Sequence, residues 1–189
     1  MNIIAQGAEA IIYKIDGKIK KVRIEKSYRV PELDHKIRSS RTRHEAKIMN
    51  DLADVINVPK ILRVGKYEIE MEYVDGKKMK EAITPGMCLR IGKMVGKIHS
   101  MGIMHGDLTT SNMILKDGEI YLIDFGLSRY TKKIEDYAVD LLVFKQCLKS
   151  THTEIFSECW KNFLSEYLKI MDKAVVERIE KIEKRRRYS

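Results

Sequence analysis

One tight hairpin between residues 105 and 126 sets Asp107, Asn112 and Asp124 at fixed spacing, and it limits what the rest of the chain can build. The stretch reads His105-Gly106-Asp107-Leu108-Thr109-Thr110-Ser111-Asn112, continues as an apolar strand, Met113-Ile114-Leu115, and ends Ile123-Asp124-Phe125-Gly126. Asp117-Gly118 is a strong two-residue turn signal, because both central positions of the favoured hairpin turn need positive φ. Glu119 to Ile123 then alternates polar and apolar residues. A hairpin of this kind brings Asp124 back beside Asn112. Taken singly, these residues are explained by turn capping in a buried hairpin; only their joint spacing argues for chemistry.

Asp107 and Asn112 stand five apart, and Asp124 follows twelve residues later. That is the catalytic-loop pattern of protein kinases followed by Asp-Phe-Gly, with Gly106 where many carry arginine. In this pattern Asp107 is the base that orients and deprotonates the attacking oxygen. Asn112 and Asp124 supply hard oxygen ligands to Mg2+ on the phosphates of ATP. Such chemistry also needs a strand lysine on the phosphates and a helix glutamate to hold it. Lys21 and Glu45 are the candidates. Lys18 and Lys20 compete for the first role, and a solvated surface charge competes with Glu45. The candidate nucleotide loop is Gln6-Gly7-Ala8-Glu9-Ala10, with one glycine where three are usual, so fewer amides can approach phosphate closely. Glu9 would place a negative charge near the triphosphate. A second glycine pair, Gly92 and Gly96, resembles a phosphate loop but lacks its length and its Ser or Thr. It falls inside a helical apolar stripe, where glycine permits close helix packing.

The 189 residues suit one domain or two small lobes. No run approaches a membrane span, and the N-terminus lacks a basic-then-apolar signal region. Cys88, Cys147 and Cys159 show no metal spacing and sit in apolar patterns, so free core thiols in a reducing cytoplasm are expected. The net charge of +9 suits a polyanionic partner.

Along the chain, Ile3 to Tyr13 predicts two strands around the Gly7–Ala10 turn. Asp16-Gly17 predicts a hairpin into a strand from Lys18 to Arg23. Pro31 opens a helical region whose apolar positions are Ala46, Ile48, Met49 and Leu52. Val58 to Val64 and Tyr67 to Tyr73 form a strand pair, and Val74-Asp75-Gly76 is the expected hinge. Further helices are expected over Met87–Met101, Ala138–Leu148, Thr153–Met171 and Ala174–Ile182. Phe156, Trp160, Phe163, Leu164 and Tyr167 make a packing stripe on the third of these. The expected fold is α+β, compact and two-lobed like a protein kinase. Its N-terminal lobe, residues 1–74, holds a small sheet with one or two helices, and its C-terminal lobe, residues 75–189, is mostly helical.

Over nearly its whole length the chain resembles the small atypical kinase subunit of the KEOPS complex, a PRPK-type relative of the RIO kinases. The likeness rests on Gln6 to Ala10, on Lys21-Val22-Arg23, and on Lys26-Ser27-Tyr28-Arg29-Val30-Pro31 with Leu33-Asp34. It continues through Arg41 to Glu45, His105 to Asn112, Ile123 to Ser128, Glu135 to Leu141 and the arginine-rich end. The resemblance implies an ATPase role supporting threonylcarbamoyl modification of a tRNA adenosine. It implies as partners the threonylcarbamoyl-transferase subunit and a further small KEOPS subunit. By the same resemblance Met71, Glu72 and Tyr73 would line the adenine, and Asp140 would brace the catalytic loop. Members also occur as the C-terminal half of a fusion with the transferase.

Between Gly126 and a helix near Glu135 there is no room for a long activation segment, and Gly106 removes the arginine that gathers an activation-loop phosphate. Hydrolysis or autophosphorylation is therefore expected in place of peptide phosphorylation. A small-molecule kinase of the aminoglycoside or choline type would need a helical insert for which there is no spare length. A non-catalytic tRNA-binding scaffold would have no chemical need for Lys21, Asp107, Asn112 and Asp124 together. The basic stretch from Lys18 to Lys47 and the end Lys184-Arg185-Arg186-Arg187, with Tyr188 beside it, are expected to meet tRNA phosphates, the last residues as a flexible end.

Overall fold

The computed structural model describes residues 2–187 and the side chains of residues 2–185. Its contacts divide the chain into two units, one ending at Asp75 and the other beginning at Gly76. No described helix is long and apolar enough to cross a membrane.

The first unit is a five-stranded antiparallel sheet with one long helix. β1 (Asn2–Gln6), β2 (Ala10–Ile15) and β3 (Lys18–Arg23) follow one another, α1 (Pro31–Leu52) intervenes, and β4 (Ile61–Val64) and β5 (Glu68–Glu72) complete the order β1-β2-β3-β5-β4. Asp16 and Gly17 both take positive φ (47° and 72°), which is why the β2–β3 turn needs this pair. β4 begins at Ile61, three residues later than the apolar run from Val58 predicts. Pro59 lacks the N–H that a ladder requires. α1 is a single helix with proline in its first turn, where the missing N–H costs nothing. Ala46, Ile48, Met49 and Leu52 are all buried and pack with Ile69 and Met71 of β5 into the unit's core.

The second unit opens with β6 (Lys77–Lys78), α2 (Met79–Ala82) and α3 (Pro85–Ser100). β7 (Ile103–Met104), the β8 (Met113–Lys116) and β9 (Glu119–Leu122) hairpin, and β10 (Arg129–Tyr130) follow. β6, β8 and β9 form one small sheet, and β7 pairs with β10. α4 (Ile134–Thr151), a short 3-10 turn, α5 (Phe156–Tyr167) and α6 (Ala174–Arg187) close the unit. α4 starts four residues before the apolar pattern does, helped by Glu135 and Asp136 in its first turn. α5 is shorter than expected: Thr153–Ile155 forms a 3-10 turn before it, and after Tyr167 the N–H groups of Lys169 and Ile170 bond three residues back in a tightened last turn. α6 carries Lys184 to Arg187 as helix, which corrects the expectation of a flexible end there; Tyr188 lies outside the described residues.

On α3, Cys88, Ile91, Met94, Val95 and Ile98 are buried, while Met101 falls at the C-cap and is exposed. Gly102, at φ +74°, ends the helix. α3 packs on α5, where Phe163 touches Phe144 and Tyr167 ring to ring. Glycine is what lets the two helices come so near. A Cβ on Gly92 would lie 2.1 Å from the Phe163 carbonyl oxygen, and one on Gly96 would lie 3.1 Å from Ile170 Cδ1. Cys88 and Cys159 are buried between these helices, and burial pushes both thiols up, so they are inert; Cys147 is only half-buried.

Gly92→Ala should therefore destabilise the protein by about 2–4 kcal/mol in urea unfolding, since backbone must move to admit the methyl group. Lys93→Ala, at the next and exposed position, should stay within about 0.5 kcal/mol.

Candidate active site

In the first unit, strand alternation puts Lys21 and Arg23 of β3 on one face, both almost fully buried (7% and 5% exposed). Glu45 of α1, 1% exposed, receives them with its two oxygens. Lys21 Nζ donates to Oε1 at 2.6 Å and Arg23 Nη2 to Oε2 at 2.5 Å. Of the three lysines on β3, Lys20 instead pairs with Glu68 at 2.8 Å, and Lys18 is exposed. Glu45 is thus no surface charge. Arg23 also reaches the Arg41 carbonyl oxygen, one helical turn before Glu45, at 3.5 Å. An ion pair this buried is costly to desolvate, and removing one partner typically costs about 3–5 kcal/mol.

The loop between β1 and β2 is closed by a bond from the Gly7 N–H to the Ala10 carbonyl at 2.9 Å. Gln6, Gly7 and Ala8 are exposed, and a Cβ on Gly7 would meet only ordinary contact, so its glycine is not demanded by packing. Glu9 has a clear partner. Its Oε2 accepts from Arg41 Nη1 at 2.6 Å, and Arg29 lies 3.9 Å from Oε1. Lys26 Nζ donates to the Ala8 carbonyl. Arg29 also faces buried Asp34, which Arg38 Nε holds at 2.5 Å. Burial works to raise the Asp34 carboxyl, but Arg38, the Lys26 N–H and Arg29 together hold it below its ordinary value. The negative charge of Glu9 is therefore balanced within the unit by arginines of α1 and the preceding loop. The Met71 side chain is in the core, so any contact it offers a base comes from its main chain. Tyr73 is covered by the Lys14 ammonium at 3.5 Å from the ring centre.

In the second unit the expected hairpin forms, with Asp117 and Gly118 at φ 50° and 78°. It returns Ile123 to Asn112, whose carbonyl oxygen accepts the Ile123 N–H at 2.9 Å. Asn112 Nδ2 donates to the main-chain oxygen of Asp107 at 2.9 Å and to its Oδ2 at 2.8 Å. The amide nitrogen is spent on Asp107, and Oδ1 remains as the acceptor for a cation. Asp107 is exposed, and its N–H donates to His105 Nδ1 at 3.2 Å. His105 Nε2 lies 3.2 Å from the Ile123 carbonyl oxygen, so its proton sits there. Asp124 adopts a left-handed φ of 63°, and the Gly126 N–H donates to its Oδ1 at 3.2 Å.

Asp140 of α4, fully buried, accepts the His105 N–H on Oδ2 and the Gly106 N–H on Oδ1, the latter at 2.8 Å. Among the described residues no cluster of three or more His, Cys, Asp and Glu could hold a metal ion. One amide oxygen and one carboxylate fit Mg2+, which keeps waters and takes its remaining ligands from phosphates.

The sequence reading missed Arg23 as the second partner of Glu45, although its i+2 spacing from Lys21 on a strand was a usable signal. It also missed His99. That ring is buried, with Nε2 3.3 Å from Asp140 Oδ2 and Nδ1 2.8 Å from the Tyr167 hydroxyl. Only the apolar stripe around it hinted at burial.

Burial holds His105 neutral by pulling its pKa below 6.5, against the opposing charge of Asp140. The unfolded chain therefore takes up a proton before the folded one does. Unfolding free energy should fall as pH drops below about 6.5, and His152, depressed by burial in the same sense, adds to the fall. Urea unfolding between about pH 7.5 and 5 should show a shallower decline for His105→Gln than for the wild type.

Residues 2–153 match the model of the protein kinase domain. The KEOPS complex subunit Bud32 of Pyrococcus abyssi is 41% identical over the whole of this chain and 96% of its own length. A probable bifunctional tRNA threonylcarbamoyladenosine biosynthesis protein of Methanothermobacter thermautotrophicus is 43% identical, and this chain spans 37% of its length. Among solved structures, the Rio2 kinase of Chaetomium thermophilum in an ADP/Mg2+-phosphoaspartate complex shares the fold. Its TM-score is 0.63 at 15% identity, covering 98% of this chain and 70% of that one. The chain belongs to the protein kinase family and, within it, to the family of KEOPS complex subunit Bud32.

Proposed function

We propose that this chain binds magnesium-ATP and hydrolyses it, or transfers the phosphoryl group to itself, in support of tRNA threonylcarbamoyladenosine formation within a KEOPS complex. The observation that carries this reading is the Asp107–Asn112 hydrogen bond at the root of a hairpin that ends in Asp124. One carboxylate oxygen of Asp107 is held by Asn112, leaving an exposed carboxylate to take the proton of an attacking water or hydroxyl. His105 fixes the main chain on either side of this arrangement through the Asp107 N–H and the Ile123 carbonyl. Lys21, oriented by Glu45, is the phosphate-holding lysine. Bound Mg2+ would neutralise phosphate charge, and Asn112 Oδ1 and the Asp124 carboxylate are the groups that would hold it.

Two further features support the assembly. Leu127, Tyr130 and Ile134 are exposed apolar residues directly after the Asp-Phe-Gly stretch, which suits docking of the transferase subunit on this unit. α6 ends in consecutive cations and is anchored to α4 by the Lys145–Glu183 pair at 2.8 Å and by Arg178 with Glu135. These cations suit tRNA phosphates.

Asp107→Ala should lower magnesium-dependent ATP hydrolysis by about 10²- to 10⁴-fold while leaving thermal unfolding in place. Unchanged turnover would remove Asp107 from the mechanism. Deleting residues 184–189 spares the Glu183 anchor, and it should weaken tRNA binding and flatten its salt dependence by roughly 0.7–0.9 per lost phosphate contact. Identical affinity and salt slope in the two chains would reduce the segment to a helix end.

A further inference from the structure

Lys78 is a cation held beside the Asn112 hairpin. It lies in β6 opposite Ile114 of β8, so strand pairing delivers it to the stretch that follows Asn112. Its ammonium donates at 3.1 Å to the carbonyl oxygen of Ser111, the residue immediately before Asn112. The side chain is half-buried. Burial, with Lys80 adding to it, pulls its pKa below the ordinary lysine value, and Asp124 and Glu81 oppose the shift.

Holding a half-buried ammonium costs free energy, and a single neutral carbonyl uses one of its three donors. If the side chain served only to pin the Ser111 carbonyl, an amide or hydroxyl donor would do so without that cost. Asp124 and Glu81 offset part of that cost, and a phosphate oxygen is an anionic acceptor that the remaining donors can meet directly. The same hairpin presents two carboxylates, Asp107 and Asp124, which on their own repel a polyphosphate. A compact cation on a flexible stem is the usual protein answer to a phosphate that must be met as a point charge.

Resting on the reading that the Asn112–Asp124 hairpin takes magnesium-ATP, we propose that Lys78 is a nucleotide-binding residue whose ammonium contacts a phosphate oxygen of ATP or ADP. Its bond to the Ser111 carbonyl parks the ammonium beside Asn112 before nucleotide arrives, and the remaining donors meet the phosphate. The role is one of binding, so it extends to ADP as well as ATP.

The test is equilibrium binding of magnesium-ATP and magnesium-ADP to the full chain by calorimetry, with urea unfolding run alongside, for wild type, Lys78→Met, Lys78→Gln and Lys78→Arg. Lys78→Met should raise Kd for both nucleotides about tenfold and weaken the dependence of Kd on salt. Lys78→Arg should recover most of the affinity. Lys78→Gln keeps an N–H donor for Ser111 without the charge, so it separates pinning from phosphate contact if Lys78→Met folds poorly. Lost affinity in Lys78→Gln at unchanged stability supports the proposal, and wild-type affinity in that variant overturns it. A wild type that binds neither nucleotide is a different result: it removes the underlying reading of the hairpin.

Discussion

The catalytic loop is shaped by a carboxylate that belongs to another part of the chain. Asp140, buried in α4, gathers the N–H groups of His105 and Gly106 on its two oxygens and keeps His99 beside it. A lone buried carboxylate would be unaffordable. Here two amides and an imidazole satisfy it, and the imidazole is in turn fixed by Tyr167 from α5. The chain of contacts explains why the loop needs glycine at 106. With φ at +84°, and a Cβ that would lie 2.5 Å from the Leu127 carbonyl oxygen, no side chain fits. The missing arginine is thus a packing requirement of this loop as well as the absence of a phosphate-gathering group.

The first unit solves a comparable problem with the signs reversed. Two cations, Lys21 and Arg23, enter its interior on adjacent same-face positions of β3, and one carboxylate on α1 receives both. Because Arg23 also bonds the Arg41 carbonyl, β3 grips α1 at two points one turn apart. Rotation or withdrawal of α1 would break several buried polar contacts at once, each worth more than an exposed ion pair. In kinases whose helix glutamate is moved in and out, that movement is the switch. A doubly held Glu45 makes breaking the Lys21 pair costlier, which agrees with a chain that has little length between Gly126 and α4 for an activation segment.

Most elements could be read from local pattern, because the residues that dictate them are local. Asp16-Gly17 and Asp117-Gly118 named their own turns, and Gly102 its helix stop. The placement of Asp107 and Asn112 and the return of the chain to them before Asp124 were legible for the same reason, since one hairpin fixes their spacing. What stayed hidden depends on partners distant in sequence. Glu9 read as an unexplained liability because its arginines are 20 and 32 residues away. Arg23 shared a strand face with Lys21, but nothing nearby announces that Glu45 is buried and receives both. The lengths of α5 and α6 also failed to show in the apolar period. α5 ends in a tightened last turn, and α6 continues as a charged helix whose hold on α4 comes from Arg178 and Glu183.

Glu9 and Gly7 bear on how the proposed nucleotide loop would meet a phosphate. A loop with three glycines binds by bringing amides close, and this loop offers fewer, since Gly7 is its one residue without a side chain. Positive charge can substitute for lost amides, and the unit supplies it around the loop through Lys26 at Ala8 and through Arg29 and Arg41 at Glu9. Glu9 then serves chiefly to hold Arg41 at the loop, while Arg29, already paired with Asp34, lies at the edge of its reach. On that account the acid that looked hostile to a triphosphate organises the cations around the loop. Its pair with Arg41 ties the loop to α1, the same helix that Arg23 and Glu45 lock to the sheet.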